Sequence, residues 1–159
     1  MKGAIGSAVI LNIVITFITI FLLLLVGAMA YTKTIKIRNY LLVETEKFYE
    51  NHGKFPFYKS SEINEWNEIV NPYLTKSGYH LSKKKNACPY KNNYEVRVDT
   101  RVGYYEYCIY QRIEPGTKGN IESYTTFMVL AYMKIDLPVV GTYFKIPITG
   151  ETKPYIKLK

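Results

Sequence analysis

The chain has 159 residues, 48% hydrophobic and 15% aromatic content, and a formal net charge of +8. This length allows one small domain beside a membrane-spanning segment and excludes a large multidomain protein. The positive charge favours anionic partners, namely lipid headgroups, nucleic acid or acidic wall polymers, without choosing among them.

The first thirty positions hold an uninterrupted apolar stretch. No charged side chain occurs from Ala4 to Tyr31. The hydrocarbon core of a bilayer is about 30 Å thick and needs about 20 apolar residues in a helix, so this stretch is long enough to cross it. A helix also pairs every backbone N–H and C=O internally, as lipid requires. We therefore predict a transmembrane helix over residues 1–31, with the lipid bilayer as its partner.

A cleaved signal peptide is the alternative interpretation of this stretch. Ala28-Met29-Ala30 fits the small-x-small cleavage pattern, and cleavage there would release a secreted domain beginning at Tyr31. The apolar region of a signal peptide has about 7–15 residues, however, and this stretch is much longer. We therefore predict a retained anchor.

Two opposing arguments bear on the orientation of this anchor. Lys33, Lys36 and Arg38 follow the apolar stretch, which weakly favours a cytoplasmic domain. The two cysteines and the tyrosine-rich, strand-rich remainder of the chain favour an oxidising compartment. We predict a single-pass protein of the cell membrane with its C-terminal domain outside the cell.

The helix is predicted to continue past the membrane. No Gly or Pro occurs between Tyr31 and Asn51, Gly53 suits the position after a helix end, and Pro56 prevents the helix from resuming. Residues 32–53 are therefore an amphipathic continuation, which gives one helix of about 45 residues. Its predicted apolar stripe consists of Tyr31, Ile35, Arg38, Leu42, Thr45 and Tyr49, with Leu41 and Phe48 beside it.

Residues 54–92 are predicted to form a helical and loop region. Ser61 is suited to cap a second helix, and Asn71-Pro72 is predicted to end or bend it. The predicted buried face of this helix consists of Ile63, Trp66, Ile69 and Val70.

A basic run follows this second helix. Lys83, Lys84 and Lys85, with Lys91 nearby, form either a solvated loop or a contact for phosphate or another anionic polymer. The second interpretation leads to an alternative function, a membrane-tethered extracellular binding module with a basic surface for nucleic acid or an anionic wall polymer. Its binding would fall steeply with salt.

Residues 93–159 are predicted to form an antiparallel β-sheet of about four strands. Tyr94, Val96 and Val98 alternate with polar residues, which is the period of a half-buried strand. The long helix has the apolar stripe to cover such a sheet, so the predicted fold class is α+β. Further strands are predicted at Tyr104–Ile113, Tyr124–Ile135 and Thr142–Ile148, with a final extended piece around Tyr155 and Ile156.

The chemistry-bearing residues predict no catalytic site, no metal site and no cofactor. Cys88 and Cys108 lack the spacing of a zinc site and form either one disulfide or two partly buried thiols. His52 and His80 are the only histidines, and no hydrolase, zinc-protease or phosphate-loop motif accompanies them. Three acidic residues are predicted to lie on solvated strand faces: Asp99, Glu106 and Glu114. We therefore predict that the protein is not an enzyme.

Three segments resemble pilin-like proteins. Glu46–Pro56, EKFYENHGKFP, is similar to the stretch that ends the long helix of pseudopilins, and Asn71–Leu74, NPYL, is similar to the motif that follows it there. Val129–Lys153 resembles the end of Tad-type, TadE-like minor pilins, where a strand leads through Pro-Val-Val-Gly-like punctuation to a closing strand. The resemblance implies a structural subunit of a surface pilus or secretion apparatus, with other pilin-like subunits or pilus machinery as partners.

The resemblance also implies assembly through the N-terminal helix. Small residues permit helices to approach closely, and their other role is as lipid-compatible filler. The small residues at the two ends of the apolar stretch are Gly3, Ala4, Gly6 and Ser7, and Gly27, Ala28 and Ala30.

Pilin leaders usually place a Glu at the fifth position of the mature chain. Cleavage after Gly3 would put Ala8 at that position. Cleavage after Gly6 would put Leu11 there, which is equally apolar. We therefore predict that Met1 is retained.

Overall fold

The structure, a computed structural model, describes residues 2–56, 61–81, 86–101, 103–116, 120–136 and 143–158, with side chains described from residue 8 and, in the last range, from residue 145. It consists of a long N-terminal helix packed on an antiparallel sheet, so the predicted α+β class is confirmed. The elements are α1 Lys2–His52, α2 Ile63–Lys76, β1 Glu95–Val98, β2 Tyr107–Pro115, β3 Ile121–Asp136, β4 Tyr143–Glu151 and β5 Tyr155–Leu158.

Helix α1 is continuous over 51 residues. It ends at Gly53, whose φ of 67° lies in the left-handed region that glycine adopts without steric cost. The Gly53 N–H donates to the Tyr49 carbonyl at 2.8 Å and so satisfies one of the last carbonyls of the helix. The predicted continuation past the apolar stretch is therefore confirmed.

The buried face of α1 agrees with the predicted stripe at Thr45, with Leu41 and Phe48 beside it, but also includes Thr34 and Ile37, which the prediction left out. Ile35 and Leu42 are half-buried, and Tyr31 is 50% exposed. The hydroxyls of Thr34 and Thr45 donate to carbonyls four residues earlier, which allows these polar side chains to be buried. The side chains that lie deepest against the sheet are Thr34, Ile37, Leu41, Thr45 and Phe48.

Helix α2 differs from its prediction at both ends. Glu62, not Ser61, precedes its first turn in helical geometry, and no side chain caps it. Pro72 lies inside the helix, which continues to Lys76. Trp66, Val70 and Leu74 are fully buried on both sides of Pro72, and their burial offsets the cost of about 3 kcal/mol for an interior proline.

The predicted buried face of α2 is correct except at one position. Ile63, Trp66 and Val70 are buried, whereas Ile69 is 40% exposed. Leu74 completes the buried face, four residues after Val70, because the helix does not end at Pro72.

The sheet is antiparallel with strand order β1-β2-β3-β4, and β5 also pairs with β3. The long strand β3 is central. Strand β2 lies along one edge of it, and β4 and β5 follow one another along the other edge, opposite residues 128–136 and 121–125. The predicted meander is confirmed, and the closing piece around Tyr155 adds a fifth strand.

Both faces of the central strands are buried. On one face, Ile109, Phe127 and Val129 pack with α1 and α2. On the other, Cys108, Tyr110, Met128 and Leu130 form a smaller cluster beneath the segment that contains Cys88. Double burial explains why β2 and β3 read as nearly continuous apolar runs rather than as alternating ones.

Trp66 and Tyr107 form a polar contact inside the larger cluster. Trp66 Nε1 donates to the Tyr107 hydroxyl at 2.9 Å, and both side chains are fully buried. We expect Tyr107→Phe to lower the free energy of unfolding by about 1–3 kcal/mol, because the buried indole N–H loses the hydrogen bond that compensates its burial. Urea unfolding followed by the fluorescence of the single tryptophan measures this directly.

Tyr90→Phe is the matched control for this substitution, since Tyr90 is 83% exposed. It removes the same hydroxyl from a site that water already solvates, and we expect no change in the unfolding midpoint. Equal midpoints for Tyr107→Phe and the wild type would contradict the role assigned to this hydrogen bond.

Candidate membrane and assembly surface

The first half of α1 exposes its apolar side chains on every side. From Val9 to Met29 the large apolar residues are between 44% and 70% exposed. Among the described residues, one helix, Ala8–His52, is long and apolar enough to cross a membrane. This is consistent with single-pass membrane anchoring. An apolar surface of this extent is not stable in water and requires lipid or other helices around it.

Two of the polar side chains within this half, those of Thr16 and Thr19, are satisfied by the helix itself. Thr16 Oγ1 donates to the Asn12 carbonyl and Thr19 Oγ1 to the Ile15 carbonyl, each at 2.8 Å. Both threonine hydroxyls therefore keep a hydrogen-bond partner in lipid. The two threonines are therefore compatible with the hydrocarbon core.

The small residues at the domain-proximal end leave open space beside α1. An added Cβ at Gly27 would meet no atom within 4 Å. Ala28 is exposed and Ala30 is half-buried. The surface of α1 at Gly27 therefore has room for a side chain of a neighbouring helix. The other four candidates, Gly3, Ala4, Gly6 and Ser7, lie on the α1 backbone, and their side-chain surroundings are outside the described residues.

Two of the basic side chains that follow the apolar stretch donate hydrogen bonds to the domain. Lys33 Nζ donates to the Gly78 carbonyl at 2.7 Å, just beyond the end of α2. Arg38 Nη1 donates to the Thr149 carbonyl of β4 at 3.0 Å. These bonds tie the membrane-proximal part of α1 to the domain, in addition to the apolar packing further along the helix.

A groove lies between α1 and the C-terminal end of α2, at the point where the uncharged stretch ends. We call it the boundary groove. Its volume is about 420 Å³, and its lining includes Leu25, Ala28, Met29, Lys33, Lys36 and Tyr73. The Tyr73 ring stacks on the Tyr40 ring with centroids 3.8 Å apart, which holds α2 against α1. No sequence motif predicted this groove, because its two walls are about 40 residues apart in the chain.

The anionic-ligand candidates are mostly outside the described part of the chain. Lys83, Lys84 and Lys85 fall outside the described residues. Lys91 is half-buried, and its carbonyl accepts a hydrogen bond from the Tyr94 N–H at 3.2 Å. Of the predicted basic surface, only Lys91 therefore lies among the described residues.

Cys88 and Cys108 form a disulfide, which is one of the two states that the sequence left open. Cys108 is fully buried in β2, so the bond attaches the segment before β1 to the second face of the sheet. The Tyr110 hydroxyl donates to the Pro89 carbonyl at 2.8 Å beside it. Burial is the main cause that raises the pKa of Tyr110, so its hydroxyl stays protonated and remains a hydrogen-bond donor.

The prediction of solvated acidic residues is wrong for two of the three. Asp99 is 1% exposed and accepts bonds from the backbone and guanidinium of Arg101. Glu106 is 7% exposed and pairs with Lys145 at 2.9 Å. Glu114 is exposed as predicted. Each buried carboxylate pairs with one cation, and the second oxygen of Glu106 has no hydrogen-bond partner among the described residues. Both residues lie just outside strands β1 and β2, so the period-two pattern does not determine their burial.

His52 makes two structural contacts at the end of α1. Its ring stacks on Phe48 with centroids 4.2 Å apart, and its Nε2 lies 3.2 Å from a carboxylate oxygen of Glu65 on α2. No group of three or more His, Cys, Asp or Glu residues in the described part of the chain is arranged to hold a metal ion.

Three features of the described surface are suited to contacts with other molecules: the apolar half of α1, its small residues and the boundary groove with its two lysines. Comparisons with protein-family models, curated proteins and solved structures find no match to the chain.

Proposed function

We propose that the protein is a membrane-anchored, pilin-like structural subunit of a surface pilus or secretion apparatus, and that it acts by helix-mediated assembly. One observation carries this proposal. A single unbroken helix has a fully exposed apolar first half and a second half packed into the core of the domain. The position of the domain therefore follows the position of the helix, as an assembly built from bundled helices requires.

The length of the apolar half supports packing against other helices. The uncharged stretch from Ala4 to Tyr31 is about 42 Å long at 1.5 Å per residue. The hydrocarbon core is only about 30 Å thick. Tilting or association with other helices accommodates such an excess. Association also covers apolar surface after a subunit leaves the bilayer.

The disulfide and the hydrogen bonds of Lys33 and Arg38 support a domain outside the cell. Disulfides persist in oxidising compartments and are rare in the cytosol, and Cys88 and Cys108 are bonded. Lys33 and Arg38, which weakly favour the opposite orientation, have hydrogen-bond partners in the domain. Their presence after the apolar stretch thus has a structural reason that is independent of orientation.

The geometry at Gly27 gives a direct test of assembly. We expect Gly27→Leu to reduce several-fold the amount of chain recovered in polymers sheared from the surface of cells that produce the protein. The Cβ that this substitution adds meets no atom within 4 Å, so we attribute the expected reduction to contacts with a neighbouring helix. The total amount of membrane-bound chain should not change, because leucine is more apolar than glycine.

Val26→Leu is the matched control, since Val26 is exposed and already carries a branched side chain. It should leave the sheared fraction at the wild-type level. If wild-type chain occurs only in membranes and never in sheared polymers, the assembly proposal is wrong and only the membrane anchor remains.

A further inference from the structure

We propose that the boundary groove binds an anionic phospholipid of the surrounding bilayer. Its phosphodiester would lie between the ammonium groups of Lys33 and Lys36. The first part of an acyl chain would lie along Leu25, Ala28 and Met29. This inference requires α1 to span a membrane and does not depend on polymer assembly.

The lining of the groove changes in polarity in the order that a phospholipid does. Leu25, Ala28 and Met29 belong to the uncharged stretch, and Lys33 and Lys36 follow its end within two further turns of the same helix. The distance from Leu25 to Lys36 along α1 is about 16 Å. The groove therefore extends from the hydrocarbon region into the headgroup region of a bilayer that α1 crosses.

The two lysines have unused capacity to bind an anion. An ammonium group carries three N–H donors, and Lys33 gives one of them to the Gly78 carbonyl. This bond holds the Lys33 ammonium at the wall of the groove. No carboxylate among the described residues forms an ion pair with Lys33 or Lys36. None of the described residues that line the groove is acidic.

The end of α2 does not oppose an anion in this groove. The last carbonyls of a helix carry partial negative charge and would repel a phosphate if they were free. Those of Tyr73, Leu74 and Thr75 each accept a backbone N–H from the residues that follow the helix, at 2.9–3.0 Å. Lys76 adds a positive charge in the last turn of α2.

The shape of the groove favours a lipid over a second copy of α1. Its volume of about 420 Å³ is within the range of small-molecule sites. A helix with its side chains is about 10–12 Å across and needs a contact that extends over several turns. Tyr73, near the C-terminal end of α2, lines the groove on the domain side.

Native mass spectrometry of the full chain in a neutral detergent tests the proposal. The chain is mixed with equal amounts of phosphatidylglycerol and phosphatidylcholine, and the bound lipid is counted. We expect the wild type to retain phosphatidylglycerol preferentially, and the double variant Lys33→Gln/Lys36→Gln to lose about tenfold in this retention, since each lysine near a headgroup favours an anionic lipid. Lys54→Gln/Lys157→Gln makes the same change in net charge at two exposed sites outside the groove and should behave as the wild type.

A second pair of variants tests the apolar part of the groove. Ala28→Phe fills the space between α1 and Tyr73 while both lysines remain, and it should also lower retention of phosphatidylglycerol. Val26→Phe adds the same ring at an exposed position that does not line the groove and should have no effect.

Three results would overturn the proposal. The first is equal retention of the two lipids by the wild type. The second is unchanged retention in both Lys33→Gln/Lys36→Gln and Ala28→Phe. The third is a lipid-free dimer of the wild type that Ala28→Phe dissociates, which would place a second copy of the chain in the groove. None of these results depends on whether the protein forms sheared polymers, so failure here is distinguishable from failure of the proposed function.

Discussion

Two lysines in the middle of the apolar half of α1 are expected to abolish membrane insertion. We expect the double variant Phe17→Lys/Phe21→Lys to leave the membrane fraction and become extractable by alkaline carbonate. Each lysine near the centre of a spanning helix costs about 3 kcal/mol, so the pair costs about 6 kcal/mol. The substitutions also divide the uncharged stretch into two parts, each shorter than the roughly 20 residues needed to cross a bilayer.

Phe17 and Phe21 are 70% and 55% exposed, so the variant removes no contact with the domain. Tyr90→Lys/Tyr104→Lys is the matched control, because it replaces two exposed aromatic residues of the domain with the same charges. The control should remain in the membrane. Retention of Phe17→Lys/Phe21→Lys after carbonate extraction would contradict the assignment of this half as the membrane-spanning segment.

Loss of the disulfide is expected to have the largest effect on the stability of the domain. We expect Cys88→Ala/Cys108→Ala to lower the free energy of unfolding by about 3 kcal/mol, the chain-entropy estimate for a loop of about 20 residues. Small domains are stable by only about 5–15 kcal/mol, so this is a large fraction of the total. Urea unfolding of the full chain in detergent, followed by the fluorescence of Trp66, measures the change.

The oxidised wild type treated with a reductant provides the control for this variant. Reduction should lower its unfolding midpoint towards that of Cys88→Ala/Cys108→Ala, and the same reductant should leave the variant unchanged. A wild type whose midpoint does not respond to reductant would show that the disulfide contributes little to the stability of the domain.

The anchor and the disulfide belong to different attachments, one between α1 and the domain and one within the domain. The domain is attached to the apolar half by the continuous backbone of α1 and by the hydrogen bonds of Lys33 and Arg38. The disulfide attaches the segment before β1 to the far face of the sheet.

The long helix and the order of the strands could be predicted from the sequence. The apolar stretch from Ala4 to Tyr31, the absence of Gly or Pro before Gly53, and the alternation around Val96 are local properties of the chain. Hydrogen bonds between residues close in sequence and the period of apolar side chains determine helices and strands of this kind. The apolar half of α1 depends on the same local signal, and the structure has a helix there as predicted.

Only the tertiary structure decided which surfaces are covered. The buried face of α1 is centred on Ile37 and Leu41 because the sheet lies there, and α2 passes through Pro72 because Leu74 has a place in the core. Glu106, just before β2, is buried beside Lys145 of β4, a residue about 40 positions away in the chain. The boundary groove exists only where α2 meets α1. Periodicity records the pattern of one segment, whereas burial and grooves depend on what packs against it, and those partners come from distant parts of the chain.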